Sequence, residues 1–185
     1  YTSLMSNSRY PNQLPFNGVL PTVHPSAFIA QTAAVIGDTH IDAESGIWYG
    51  CVIRGDVNEI RIGKRTNIQD LTMIHCAELG QGCYLGDDIT VGHSAVLHAC
   101  KVEDNALIGI QACVMDDAIV ERGAMVAAGA LVTPGKIVKA GEVWAGSPAK
   151  KIRDISEKDL AFLEINRVRY ARLAAQYNLE QYDIK

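Results

Sequence analysis

Five histidines occur in the 185-residue chain, and three of them, His75, His93 and His98, fall in one short stretch. Three neutral imidazoles with a fourth position left open make the catalytic kind of zinc site, whereas structural zinc sites are closed by four ligands, usually including cysteine. Cys76 adjoins His75, but side chains alternate along a strand, so Cys76 is expected to face the core and is not counted as a ligand. His24 and His40 stand apart and read as ordinary surface or partly buried side chains. Two polar runs precede the histidines, Arg54-Gly55-Asp56 and Asn67-Ile68-Gln69-Asp70. Asn67, Gln69 and His75 share strand parity and are expected to face outward together. Arg54, Asp56 and Asp70 fit either a solvated face or an ion-pair set at a subunit interface.

The elements that must position these residues are written in a six-residue ladder. Val102, Ile108, Val114, Val120, Val126, Val132 and Val138 follow one another at that interval, as do Val23, Ile29, Val35, Ile41, Ile47 and Ile53. Four positions after a ladder residue stands a small one, among them Ala27, Ala33, Thr39, Ser45 and Cys51, then Ala106, Ala112, Ala118, Ala124 and Ala130. A helical stripe recurs every three to four residues and cannot make this pattern. A short strand, a corner and a next strand of equal length can. Hexapeptide periods of this kind mark a parallel β-helix, in which each rung buries its aliphatic residues against the rungs above and below. Three six-residue faces make a rung of about eighteen residues, and the span from Val23 to Ala149 gives about seven rungs.

The ladder breaks twice, near Gly55 to Ile62 and at the insertion Ala77-Glu78-Leu79-Gly80-Gln81-Gly82. A repeat protein carries such insertions as loops, often on its functional face. His75 and His93 are 18 positions apart, one full rung, and are expected to stack if the insertion leaves the count intact. His98 comes 5 later and is expected around the next corner. Two side chains on one face and one around a corner do not converge within one prism. They converge when a second subunit brings its face against the corner, so the spacing favours a metal site shared in an assembly of threefold symmetry.

Three segments are expected: an N-terminal extension over 1–22, the β-helix over 23–149, and a C-terminal helix and tail over 150–185. The last loses the six-residue period and carries a helical stripe, Leu160, Leu163, Tyr170, Leu173 and Tyr177. Ser156 is the expected N-cap of a helix from about Glu157 to Tyr177 lying along one face of the prism, with Glu157 and Asp159 in its first turn. A net charge of −4 without a Lys/Arg-rich run argues against a nucleic-acid partner. No apolar stretch approaches a membrane span or a signal-peptide core, and the opening on Tyr1 instead of methionine leaves open whether the residues ahead of Met5 are native. Five cysteines without a C-x-x-C pair read as small buried groups in a reducing, cytoplasmic setting.

Arg54-Gly55-Asp56, Thr66-Asn67-Ile68-Gln69-Asp70, Ile74-His75, the run from Val91-Gly92-His93 to Leu97-His98, and the ending Gly146-Ser147-Pro148-Ala149-Lys150 together resemble the γ-class carbonic anhydrase family. The resemblance extends over nearly the whole chain from Pro25 on. It implies a left-handed β-helix and a homotrimer that hydrates CO2 reversibly to bicarbonate. It also implies Zn2+, or Fe2+ in some members, held by His75 and His98 of one subunit and His93 of the next. Zinc lowers the pKa of its water to about 7, a value that comes from carbonic anhydrases themselves, so that hydroxide attacks CO2. By the same resemblance Arg54 and Asp56 organise the interface with Asp70 in their ion-pair set, Asn67 and Gln69 orient water and substrate, and Tyr170 approaches from the C-terminal helix. Two departures stand out. The long acidic loop of the best-known members is short here, leaving Glu78 three residues after His75, and Val57 replaces a glutamate. Both point to slow proton transfer and weak hydration.

Two other functions are weighed against this one. A hexapeptide-repeat acyltransferase with a single histidine as general base leaves the other two histidines unexplained and lacks a separate acceptor domain. A non-catalytic metal-binding scaffold subunit would bind metal and turn nothing over.

Overall fold

The computed structural model describes residues 11–182. The chain folds mainly as β structure, a left-handed parallel β-helix of about seven turns with one C-terminal helix. The residues ahead of Met5 lie outside the described part.

Each rung has three faces. The first carries Phe28–Ile29, Gly46–Ile47, Asn67–Ile68, Thr90–Val91, Leu107–Ile108, Met125–Val126 and Glu142–Gly146, paired in parallel one above the next. The second carries Met73–His75, Val96–His98, Cys113–Val114 and Leu131–Val132, which continue the first halves of the long strands Ala34–Ile41 and Val52–Ile62. Those long strands turn onto the third face, where Cys83–Leu85, Lys101–Val102, Ile119–Val120 and Ile137–Val138 follow. The second and third faces therefore form one continuous sheet.

The ladder residues fill the axis of the prism. Ile29, Ile47, Ile53, Ile108, Val114, Val126 and Val132 are wholly buried, and the small residues at the corners are buried with them. An aliphatic side chain stacked on its equivalent in the neighbouring rung loses nearly all its contact with water, which stabilises by about 1.5–3 kcal/mol per residue. All five cysteines are free, and only Cys113 is less than fully buried.

At the N-terminal end Gln13–Leu14 pairs in parallel with Val35 and Ile36, so part of the expected extension is strand. At the other end Ala149–Asp154 returns antiparallel to Glu142–Gly146, a hairpin that the fading six-residue period did not announce. The helix, Glu157–Tyr182, runs past the expected Tyr177. Ser156 and Asp159 cap its start, the Ser156 backbone N–H donating to Asp159 Oδ2 (2.8 Å) and the Asp159 N–H to Ser156 Oγ (3.3 Å). The helix lies on the first face. Trp48 is the centre of that contact, with ring centroids 5.2 Å from Phe28, 5.6 Å from Tyr170 and 5.4 Å from Tyr177. Asn178 Nδ2 donates to the Ala27 carbonyl at 2.8 Å, and Asp88 receives a two-pronged pair of bonds from Arg65 (2.7 and 2.6 Å) with Arg167 of the helix 3.5 Å away.

Candidate metal centre

His75 and His98, not His75 and His93, are stacked. Strands Met73–His75 and Val96–His98 pair in register with His75 opposite His98, and Arg54 stands opposite His75 on the rung before. The imidazole centroids are 5.2 Å apart. The expected stack failed because the insertion changes the count. Seven residues separate His75 from Cys83 at the corner between the second and third faces, where one separates His98 from Cys100, the equivalent of Cys83. The 18 residues from His75 to His93 therefore reach only as far as the corner before the second face. His93 sits in the turn between Thr90–Val91 and Val96–His98, a corner away from the pair.

A carboxylate holds one nitrogen of each ring. Asp56 Oδ1 lies 3.0 Å from His75 Nε2, Asp70 Oδ2 lies 2.9 Å from His93 Nδ1, and Asp116 Oδ1 lies 2.7 Å from His98 Nδ1. Arg54 completes the first of these, donating to Asp56 Oδ2 at 2.5 Å. Burial alone would push the Asp56 carboxyl up. The hydrogen bonds from Arg54 and His75 outweigh it and hold the group below the usual carboxylate range. Asp70 was expected in the ion-pair set of Arg54 and Asp56, but within the subunit it serves His93 at a different corner. Asp116 was missed altogether. Its signal was present, since it stands 18 positions, one rung, after His98.

Asn67 and Gln69 do not share a face with His75. They belong to the first face, are 3% and 6% exposed, and are covered by the helix rather than facing solvent. Parity along a strand is lost at a corner, and a corner separates Gln69 from His75. Asn67 Nδ2 donates to Thr90 Oγ1 (3.0 Å), and Gln69 Nε2 donates to Asn67 Oδ1 (3.2 Å), so each amide fixes the next. Gln69, His93 and Tyr170 line one cavity of about 450 Å³ under the helix, otherwise walled by residues such as Leu107, Ile110, Met125, Val143 and Phe162. Burial pushes the Tyr170 phenol up, which keeps it a hydrogen-bond donor.

The donor set fits a divalent transition ion. Each imidazole is oriented by a carboxylate on one nitrogen and keeps the other for a metal, the arrangement that raises ligand basicity and fixes ring tautomers. Among the described residues Asp56, His75 and Cys76 also bring ligand atoms within 4.8 Å of one another. Cys76 is 1% exposed, its thiol points to the Asn58 carbonyl at 3.2 Å, and burial pushes its pKa up, so it stays a core residue.

No protein-family model matches the chain. Over 165 residues it is 45% identical to gamma carbonic anhydrase 1, mitochondrial, of Arabidopsis thaliana, a match that covers 86% of this chain and 60% of that protein. The chain thus spans about 60% of the length of the plant relatives it matches, between 57% and 64%. It is 43% identical over 167 residues to a carbonic anhydrase of Geobacillus kaustophilus, with 90% of this chain and 91% of that one covered. Among solved structures, a hexapeptide transferase family protein from Anaplasma phagocytophilum superposes with a TM-score of 0.85 at 45% identity, over 89% of this chain and 97% of that one. The fold and the three carboxylate-oriented histidines define a hexapeptide-repeat β-helix protein with a donor set that fits a metal ion. Within that class the chain belongs to the γ-class carbonic anhydrase family.

Proposed function

We propose that this chain is a metal-dependent carbonate dehydratase that hydrates CO2 reversibly to bicarbonate at sites shared between the subunits of a homotrimer. The observation that carries the reading is the division of the donor set: His75 and His98 stacked on one face, His93 a corner away, each with its own carboxylate. In a threefold assembly the partner's His93 completes the pair made by His75 and His98. Relatives named carbonic anhydrase, matched over most of this chain, support the substrate.

Zn2+ or Fe2+ bound there supplies Lewis acidity and a water acidic enough to ionise near neutral pH. The chain's own residues do the rest. Asp56, fixed by Arg54, and Asp116 hold the two imidazoles of one subunit in place, and Asp70 does so for His93. The relay from Thr90 through Asn67 fixes the Gln69 amide, leaving its oxygen to accept from a water or from the product's hydroxyl. The largely apolar wall of the cavity beside His93 suits a nonpolar substrate such as CO2. Tyr170 borders the same cavity with its phenol protonated. Among the described residues no helix is long and apolar enough to cross a membrane. The free, mostly buried cysteines support a reducing compartment such as the cytoplasm.

The test is metal analysis and stopped-flow CO2 hydration on one anaerobic preparation. We expect about one metal per subunit and hydration abolished by His93→Ala; hydration unchanged in that variant overturns the proposal. A second reading, an acyl group transferase, draws on the 450 Å³ cavity, roomier than CO2 requires, and on the name of the solved relative. Purified protein without metal but retaining coenzyme A would favour it. Bound metal with an inert site would favour a scaffold subunit.

A further inference from the structure

The histidine pair is the middle of a column of five groups. On the second face Arg54, His75 and His98 stand opposite one another on three successive rungs. Asp56 closes the column from the first of these rungs, through its bond to His75 Nε2 at 3.0 Å. Asp116 closes it from the rung after His98, through its 2.7 Å bond to His98 Nδ1. Asp56 lies within the long strand Val52–Ile62, where that strand turns from the second face onto the third, and Asp116 lies two residues past the end of Cys113–Val114, on the way to the third face. Asp116 is held there by backbone: its carbonyl accepts from the Gly135 N–H at 2.9 Å, and the Asp117 N–H next to it donates to the Ala99 carbonyl at 2.8 Å. Asp117 adopts a φ of 58°, a tight left-handed corner that fixes where the preceding side chain can go.

We infer that Asp116 is a positioning residue for the metal centre, holding the His98 ring with Nδ1 protonated and Nε2 directed to the metal. The inference rests on the proposed metal site, and it assigns to Asp116 the part that Asp56 plays for His75 at the other end of the column. The physical reason is tautomer control. A neutral imidazole carries one proton, and a carboxylate accepting at Nδ1 stabilises the form whose lone pair is on Nε2. Without that acceptor the ring samples both tautomers and other rotamers, and the metal must select one. Asp116 has no arginine beside it, unlike Asp56, and among the described residues its one ion pair is the histidine. Its side chain is 37% exposed, so substitution there removes no core packing.

The experiment compares zinc affinity, by competition with a chromophoric chelator, in the wild type, Asp116→Ala and Asp116→Asn, together with long-range 1H–15N spectra of the histidine rings. The expected result is a zinc affinity about 10–100-fold weaker in Asp116→Ala. Asn should restore part of the loss, because its amide oxygen can still accept from Nδ1. In the spectra the protonated Nδ1 signal of His98 is present in the wild type and lost or averaged in the Ala variant, while His75 keeps its proton on Nε2, facing Asp56, and His93 on Nδ1, facing Asp70. A purely structural role would lower thermal stability without changing the His98 tautomer. If the wild type binds zinc and Asp116→Ala binds it equally well with the His98 tautomer unchanged, this inference alone is overturned. If the wild type takes up no metal, the proposed function and this inference both fall.

Discussion

His75 and His98 stand opposite one another on adjacent rungs, ring centroids 5.2 Å apart, although they are 23 positions apart in the chain where a regular rung takes 18. The surplus is looped out at the corner as Ala77 to Gly82, with Asn58 Nδ2 donating to the Ala77 and Gly80 carbonyls at its base (3.1 and 3.2 Å). The loop therefore does not disturb the pair. It lets two histidines from unequal rungs meet in register, and it leaves His93 at another corner.

That separation has a direct test by subunit mixing. Neither His98→Ala nor His93→Ala alone should hydrate CO2. When the two variants are unfolded, mixed in equal amounts and refolded, a mixed trimer regains one whole site of three, from His75 and His98 of one parent and His93 of the other. Random assembly makes three-quarters of the trimers mixed, so activity should recover to about one quarter of wild type. Recovery no greater than the sum of the separate variants would show that His93 completes the site within its own subunit, or not at all.

The ladder made the fold legible because each rung repeats one rule, an aliphatic residue on the axis and a small one at the corner, and Val114 or Ala118 obeys it as written. The chemistry was legible as residue types and not as geometry. Which histidines stack depends on where inserted residues are absorbed, and one sequence does not say whether Ala77 to Gly82 lengthens the rung or leaves it. Asn67 and Gln69 were misplaced for a related reason, since alternation along a strand holds only until the next corner. Asp116 stood one rung from His98 and went unread because acids at corners are common. The hairpin at Ala149–Asp154 had no periodic signal, as its partner strand ends the repeat.

The backbone between Arg54 and Asp56 tolerates no side chain. A Cβ at Gly55 would lie 2.6 Å from the Asp38 carbonyl oxygen on the preceding rung. Gly55→Ala must push the two rungs apart or displace Asp56, and overpacking of this kind costs roughly 1–3 kcal/mol. The expected outcome is a lower melting temperature together with weaker zinc binding, because Asp56 orients His75. Leu79→Ala, which trims a loop side chain that is 93% exposed, serves as the loop control. Normal zinc affinity in folded Gly55→Ala would detach the Asp56 position from metal binding.

Asp88 should mark the acid limit of helix docking. The hydrogen bonds from Arg65 hold its carboxyl below the usual range, against a smaller opposing effect of burial, and Arg167 of the helix adds to them. A group whose folded pKa is depressed stabilises the fold above its unfolded pKa, about 3.9 for Asp, and loses that contribution as pH falls through the folded value. Between pH 5 and 3, on the order of the range where carboxylates titrate, wild-type protein should therefore lose more stability than Asp88→Asn, which has no charge left to lose. Urea unfolding at several pH values measures it, and parallel curves for the two proteins would exclude the linkage.

The last prediction concerns the proton that hydration releases. The loop after His75 carries one acid, Glu78, and that loop is exposed, with Leu79 at 93% exposure beside it. Val57, also exposed, offers no proton acceptor. Glu59, the nearest further carboxylate along the strand, is engaged by Arg61 (2.6 Å) and by the Tyr84 hydroxyl (2.8 Å). With no free relay, the proton must pass to buffer, so kcat should rise with buffer concentration at constant pH and ionic strength while kcat/KM stays level. The rise should be steeper for buffers of higher pKa, which are better bases. Replacing Glu78 by Gln should leave the buffer-saturated rate unchanged. A kcat independent of buffer in the wild type, and lowered by Glu78→Gln, would instead make Glu78 the proton carrier.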